Sequence, residues 1–297
     1  MASYARAIIR SETGDPSAMT ILITGATGAV GRRLVADLLA QGRSVRALTR
    51  RPEQAGLPAG AEVVPGDLAA PLEAGLFEGI DQVFVFPAEA GVDHLVESAL
   101  AAGVSGFVVL SSLAAAAEHP RDIGSASHRH HLAVEKAVSG RTGNFTLLRP
   151  GTFANNLLAW AFPVKTGRPI RAPYLASGQA PVHEADVAEA AAFLLARGEH
   201  TGKAYLLTGP ATLTRRQQIE AIAQAVGRPI EAQEITEEEF RQEFGQFVPA
   251  EIIDMLLDYW RDTVDEPDVP RPLSAITGTQ GRPLAQWAQD HRQDFLS

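Results

Sequence analysis

Cysteine is absent from this 297-residue chain, which removes disulfides, thiolate nucleophiles, thiolate zinc sites and iron–sulfur clusters from consideration. The same absence agrees with a reducing compartment, so a cytoplasmic location is the expectation. No uninterrupted apolar run approaches the roughly 18 residues of a membrane span, so no contact with a membrane is expected. The segment ahead of Met19 lacks the apolar core of a secretory signal. Basic residues are outnumbered, 26 Lys and Arg against 35 Asp and Glu, and a net charge of −9 argues against a broad nucleic-acid footprint. No internal repeat or low-complexity tract stands out. With 45% hydrophobic and 21% charged residues, the chain has the composition of a globular protein and enough length to bury a large core.

Against those absences, one stretch is dense with signal. Ile21-Leu22-Ile23-Thr24-Gly25-Ala26-Thr27-Gly28-Ala29-Val30-Gly31-Arg32-Arg33-Leu34-Val35 begins apolar and β-rich, turns through glycines, and continues as an amphipathic helix. A strand feeding a helix N-terminus presents free N–H groups and the positive end of the helix dipole, a favourable seat for phosphate. Gly25 permits the tight turn, Gly28 lets the backbone approach a pyrophosphate, and Gly31 lets helix and strand pack closely. Dinucleotide binding is the reading, with Thr24, Gly25, Thr27, Gly28, Ala29, Val30, Gly31 and Arg32 as the candidate contacts.

Thr24-Gly25-Ala26-Thr27-Gly28-Ala29-Val30-Gly31 resembles the fingerprint of the extended and atypical short-chain dehydrogenase/reductases. Within them the chain looks most like the NmrA-like branch, which includes NAD(P)H:quinone oxidoreductases, dye reductases and non-catalytic redox-sensing regulators. His131-Leu132-Ala133-Val134-Glu135-Lys136, followed by Phe145-Thr146-Leu147-Leu148-Arg149-Pro150, most resembles the quinone-oxidoreductase members.

Downstream, strands are expected at 44–49, 61–65, 81–87, 106–112 and 144–149, with helices between them. That alternation predicts an α/β fold, a Rossmann-type doubly wound parallel sheet whose ligands bind beyond the strands' C-terminal ends. NAD-preferring folds usually place an acid about 20 residues past the glycine loop. Here no acid lies between Asp37 and Glu53. Arg50 and Arg51 stand there instead, near Arg32, and a guanidinium can hold a 2′-phosphate that a carboxylate would repel. NADP(H) is therefore expected over NAD(H). Asp67 resembles the family's adenine-binding acid, with Leu68 packing on the ring; the alternative is an N-cap for a helix starting near Pro71. Phe86 and Pro87 should border the cofactor, and Ser111 and Ser112 end the fifth strand.

The family's reductases usually carry Tyr-x-x-x-Lys on the next helix, and the four tyrosines here, Tyr4, Tyr174, Tyr205 and Tyr259, all lie elsewhere. His131-x-x-x-Glu135 occupies that place. An i, i+4 pair shares one helix face, and the glutamate should favour a protonated imidazole. His131 is the candidate proton donor, Glu135 its partner, and Ser111 or Ser112 an orienting donor. Ala133, Val134, Ala137 and Val138 give that helix its apolar stripe. His128 and His131 share a face, but without a third ligand no metal is expected. Pro150, Thr152, Phe153 and Asn156 resemble the loop that lines the nicotinamide and substrate cleft.

From about residue 155 the alternation ends, and a smaller, mostly helical, substrate-binding lobe is expected over 155–297. The dinucleotide-binding core would span 19–154, with a later strand near 203–208 returning to it and residues 1–18 as a mobile extension. Trp160, Tyr174 and His183 are candidate substrate contacts, and Asp186 a helix cap. The apolar face of the helix over 249–261 reads as core or dimer surface. The expected function is NADP(H)-dependent hydride transfer to a small electron-poor acceptor, a quinone, enone or carbonyl, in a monomer or homodimer. The alternatives are an NAD(P)-sensing regulator acting through a protein partner and, ranked last, a nucleotide-sugar epimerase.

Overall fold

The computed structural model describes residues 19–296, and the expected N-terminal extension lies outside them. The first half alternates as β1 (Thr20–Ile23), α1 (Ala29–Ala40), β2 (Ser44–Thr49), β3 (Glu62–Pro65), β4 (Gln82–Val85), α2 (Val92–Ala101), β5 (Gly106–Leu110), α3 (Ala126–Ser139) and β6 (Phe145–Pro150). Then come α4 (Ala161–Lys165), β7 (Ile170–Ala172), β8 (Gly178–Gln179), α5 (Glu184–Arg197) and β9 (Lys203–Leu207). The chain finishes with β10 (Leu213–Thr214), α6 (Arg215–Val226), β11 (Ala232–Glu234), α7 (Glu237–Phe244), α8 (Ala250–Asp265), α9 (Ser274–Thr277) and α10 (Leu284–Asp290).

Seven strands form one parallel sheet in the order β3-β2-β1-β4-β5-β6-β9. The order reverses direction at β1 and β4, which opens a crevice at the strands' C-terminal ends. Every residue of β4 and β5 is buried, as expected of strands covered on both faces. One face packs on α1 and α5 through Leu34, Leu38, Val187 and Leu195. The other packs on α2 and α3 through Leu95, Val96, Val134 and Val138. The α3 stripe is narrower than its sequence suggests, because Ala133 faces solvent. A third cluster, around the fully buried Trp287, joins α4, α6 and α10, and a fourth joins α7 and α8. No described helix is long and apolar enough to cross a membrane.

Caps follow the chemistry of the sequence at several helix ends, among them Ser125 on α3 and Thr236 on α7. Thr214 and Gln217 close a capping box on α6, and Gly227 ends that helix with a positive φ of 76°. Two expectations fail. No helix starts near Pro71; Asp67 Oδ1 instead accepts from the Ala69 N–H at 3.1 Å in a local turn, and the next helical turn is a 3₁₀ segment at Ala74–Phe77. At α5 the cap is His183, whose Nδ1 accepts from the Ala185 N–H at 3.1 Å. Asp186 lies within the first turn, fully buried, and accepts from the Arg282 N–H at 2.8 Å and its guanidinium at 2.5 Å.

Candidate active site

Two cavities lie at the C-terminal edge of the sheet. The first, about 480 Å³, is lined by Thr24, Gly25, Thr27, Gly28, Arg50, Asp67, Leu68 and Phe86, among others. Its floor is the β1–α1 turn. Gly25 takes a φ of 64°, and a Cβ there would stand 2.6 Å from the Phe86 ring. At Gly31 a Cβ would meet the Gly25 carbonyl oxygen at 2.2 Å, so glycine alone lets α1 start this close to β1. Thr24 is a strut as well as a lining residue: its hydroxyl donates to the Phe84 carbonyl at 2.9 Å and accepts from the Phe86 N–H at 2.7 Å. No side chain caps α1 and no acid sits in its first turn. The N–H groups of Ala29, Val30 and Gly31 thus remain for an oxyanion, although these three residues are not among those lining the cavity. The cradle fits a nicotinamide dinucleotide's pyrophosphate.

Beyond Ala29, Val30 and Gly31, and beyond Pro150, Thr152 and Phe153, which line the second cavity, three more predicted cofactor contacts stand outside this one. Arg32 is turned to loop carbonyls, donating to Gly56 O at 2.7 Å and more distantly to Thr27 O at 3.5 Å. Arg51 is exposed beyond the rim, leaving Arg50 as the lining guanidinium. Pro87 does not line it, and its carbonyl is engaged by His130 Nε2 at 3.0 Å. Glu89 lines the cavity and was missed, since a carboxylate in a loop carries no signal of its own.

The second cavity, about 380 Å³, gathers Ser111, Ser112, His131, Pro150, Thr152, Phe153 and Asn156 from the predicted set. The loop after β6 is pinned here by Ala154 N–H to Val182 O and Val182 N–H to Thr152 O, each 2.9 Å. His131 sits on the wall with Nδ1 2.9 Å from the Ser127 carbonyl. A carbonyl only accepts, so Nδ1 carries the proton and Nε2 is the exchangeable nitrogen. Burial holds this imidazole below its ordinary range; the bond to Ser127 opposes that, and Glu135 contributes least.

Glu135 therefore does not pair with His131 as its spacing suggested. Its carboxylate is buried, accepts from Ser111 Oγ at 2.5 Å, and is gripped by the Arg149 guanidinium at 2.8 and 2.6 Å. The fork outcompetes a helix neighbour because bidentate guanidinium–carboxylate pairing is stronger and better shaped. Glu135 does not line the cavity. It commits the Ser111 hydroxyl proton inward, so Ser111 presents acceptor lone pairs rather than a donor. Ser112 Oγ accepts from Ala114 N–H and Ser127 Oγ, each at 3.3 Å, which frees its own proton for the cavity.

The other predicted substrate residues lie elsewhere. Trp160 packs in the third cluster, with the Arg215 guanidinium 5.8 Å from its ring. Tyr174 donates to Glu237 and accepts from Arg261 Nε at 3.1 Å. His183 is spent as the α5 cap, 1% exposed, its Nε2 3.2 Å from Asp290. Among the described residues no group of three His, Asp or Glu side chains is placed to hold a metal ion.

In their place the cavity takes His119, Arg121 and Asp122 from the loop before α3, and Met255, Leu256 and Tyr259 from α8. The apolar face of α8 thus divides: Ile253 and Leu257 enter the core while Leu256 and Tyr259 face the cavity. That split is set by how the distant helix docks, which helical periodicity does not encode.

Comparison with known proteins agrees with this geometry. The chain matches the NAD(P)H-binding family over residues 25–197. It is 34% identical over 284 residues to a (4-alkanoyl-5-oxo-2,5-dihydrofuran-3-yl)methyl phosphate reductase of Streptomyces griseus subsp. griseus, covering 93% of this chain and 99% of the relative. An NAD(P)H azoreductase of Xenophilus azovorans is 29% identical, with 93% and 99% covered. The structure of an NADPH-dependent quinone oxidoreductase of Escherichia coli bound to NADPH superposes with a TM-score of 0.76 at 24% identity, covering 91% of this chain and 99% of that one.

Proposed function

The chain belongs to the NAD(P)H-binding family, and on that footing we propose that it is a reductase delivering hydride to a small electron-poor acceptor, a quinone or enone, with NADPH preferred over NADH. The observation that carries this reading is the pair of cavities along one sheet edge, one cradled by glycines and a helix N-terminus, the other combining apolar walls with convergent polar side chains such as Ser112 and His131. The reductase names of the relatives support it over a sensor that performs no chemistry. Arg50, the guanidinium lining the first cavity, is the 2′-phosphate ligand; Asp67 and Leu68 take the adenine.

A reduced nicotinamide supplies the hydride. The chain's part is to hold the acceptor flat against the Pro150–Phe153 loop and to manage one proton. With the cofactor bound, hydride would add to the acceptor's ring or double bond, and imidazolium at His131 would give its Nε2 proton to the acceptor's oxygen, ending as neutral imidazole. Ser112 orients the acceptor's oxygen by donating to it. Because His131 is held below the ordinary imidazole range, its acid form grows as the pH falls, and kcat/KM should rise from pH 8 toward acid and level below its pKa.

The test is NADPH oxidation followed at its nicotinamide absorbance with a panel of quinones and butenolides. Turnover is expected, and His131→Ala should lower it by about 100-fold, flatten the acid limb, and leave NADPH affinity intact. Tight NADPH binding without oxidation by any acceptor would favour the sensor reading. A His131→Ala variant with unaltered turnover across pH would return the proton to solvent.

A further inference from the structure

One end of the acceptor cavity holds a cation the reductase reading does not use. Arg121 lines that end with its side chain only 8% exposed. Its guanidinium lies 5.4 Å from the centre of the Tyr259 ring. Its ion-pair partner, Asp262, stands 3.5 Å away and is 42% exposed, a long and water-screened pairing. Nε is buried and has no hydrogen-bond partner among the described residues. Buried guanidinium donors are rarely left unmet, so this guanidinium's bonding is incomplete among the described residues, while the side chain itself borders the cavity.

A second feature converges on the same end. Helix α3, 14 residues long, begins at the cavity wall, where Ser125 and Ser127 are lining residues. Ser125 Oγ caps only the His128 N–H, at 3.1 Å, and no acid lies in the first turn. The N–H groups of Ala126 and Ser127 and the positive end of the helix dipole are left to the cavity side. A guanidinium and an uncompensated helix N-terminus at one end of a cavity form a seat for a compact oxyanion.

Resting on the reductase reading, we propose that Arg121 and the first turn of α3 form an oxyanion subsite and that the natural acceptor carries a short phosphate or carboxylate arm. The acceptor's electron-poor ring lies toward Ser112 and His131, and its arm reaches Arg121. Besides Asp262, the long and screened partner of Arg121, two acids line this end, Asp268 and Asp122, and both are accommodated. Asp268 is already bound by the Tyr259 hydroxyl and by the Ala180 N–H at 3.3 Å. Asp122 is held above the ordinary carboxyl range, chiefly by burial; an arriving anion raises it further, so Asp122 takes a proton from solvent and becomes a donor to the anion. Almost out of water, the Arg121 guanidinium discriminates strongly between charged and neutral ligands.

The experiment uses three butenolides alike except for the arm: hydroxymethyl, its phosphate ester, and carboxymethyl. Binding to the full chain with NADP⁺ present is read by calorimetry, and turnover with NADPH by absorbance. The wild type should bind at least one anionic compound about ten times or more tighter than the neutral one, and whichever is tighter, phosphate or carboxylate, names the arm. In Arg121→Gln that preference should collapse toward unity, and in Arg121→Lys part of it should return. Equal affinity of the wild type for all three, no binding of any, or a preference that survives in Arg121→Gln would overturn the subsite. Should Arg121→Gln fail to fold, the wild-type ratio decides alone. Selective binding without NADPH oxidation by these or any quinone would instead overturn the reductase reading.

Discussion

The cofactor cavity draws its walls from a short span of chain, Thr24 to Ala90, with glycines at its turn, whereas the acceptor cavity collects side chains from Ser111 to Asp268. The first recognises a group common to many enzymes, a pyrophosphate, through N–H donors that any sequence with the right glycines presents. The second must fit one acceptor, so its identity resides in side chains brought together by packing. Rigidity is distributed to match. The floor of the acceptor cavity is fixed by the Ser111–Glu135–Arg149 chain, which ties β5, α3 and β6, while its far wall rests on α8 and on ion pairs such as Arg121–Asp262 and Glu118–Arg271 nearer the surface.

Arg149→Ala would break the comparison most severely. It leaves the Glu135 carboxylate, 6% exposed, without its guanidinium, and loss of one partner of a buried pair costs about 3–5 kcal/mol. Urea unfolding should show that loss. A change under about 1 kcal/mol would mean that the pair is not what braces the floor.

The legibility of the two cavities differs for the same physical reason. The parallel doubly wound sheet, the glycine cradle and the places of Arg50 and Phe86 at the cavity were readable because local sequence encodes strand, turn and helix, and Asp67 through the family resemblance. Ser112, His131 and Thr152 were readable from their places at strand ends or on the following helix. His183 and Tyr174 misled because a polar or aromatic residue near a cleft in sequence has several partners open to it, and here a cap and a glutamate won. Arg121 and Tyr259 were invisible as a pair, being brought together only when α8 docks beside the loop before α3. Glu135 shows the limit of spacing rules: i, i+4 placed His131 within reach, yet Arg149, from the neighbouring strand, offered two bonds.

A milder change sharpens the cofactor side. Arg50→Ala should weaken NADPH by about tenfold, or ~1.4 kcal/mol, and leave NADH nearly unchanged, as read by fluorescence titration of each. Equal weakening of both would remove the 2′-phosphate role from Arg50. The smallest effect lies at the opposite edge of the sheet and serves as the control for both cavities. His200 is buried between Gln82 Oε1 and Thr146 Oγ1, each 3.0 Å away, and burial lowers its pKa below the ordinary 6.5. The folded state then binds fewer protons than the unfolded chain, so this contribution is complete above pH 6.5 and is lost as the pH falls below it. One pH unit can cost at most ~1.4 kcal/mol from one group. Thermal melts from pH 7 to 5.5 should show a slope that His200→Gln reduces, with the NADPH affinity of the folded protein unaltered.

The docking of α8 has a consequence for how such a protein diversifies. Met255, Leu256 and Tyr259 reach the cavity from a helix more than a hundred residues beyond the glycine loop, and that helix is anchored by its opposite face through Ile253 and Leu257. One side of a single helix can therefore be rewritten, by evolution or in the laboratory, to admit a new guest while the dinucleotide seat, the buried brace beneath Ser111 and the anchoring face keep their sequences.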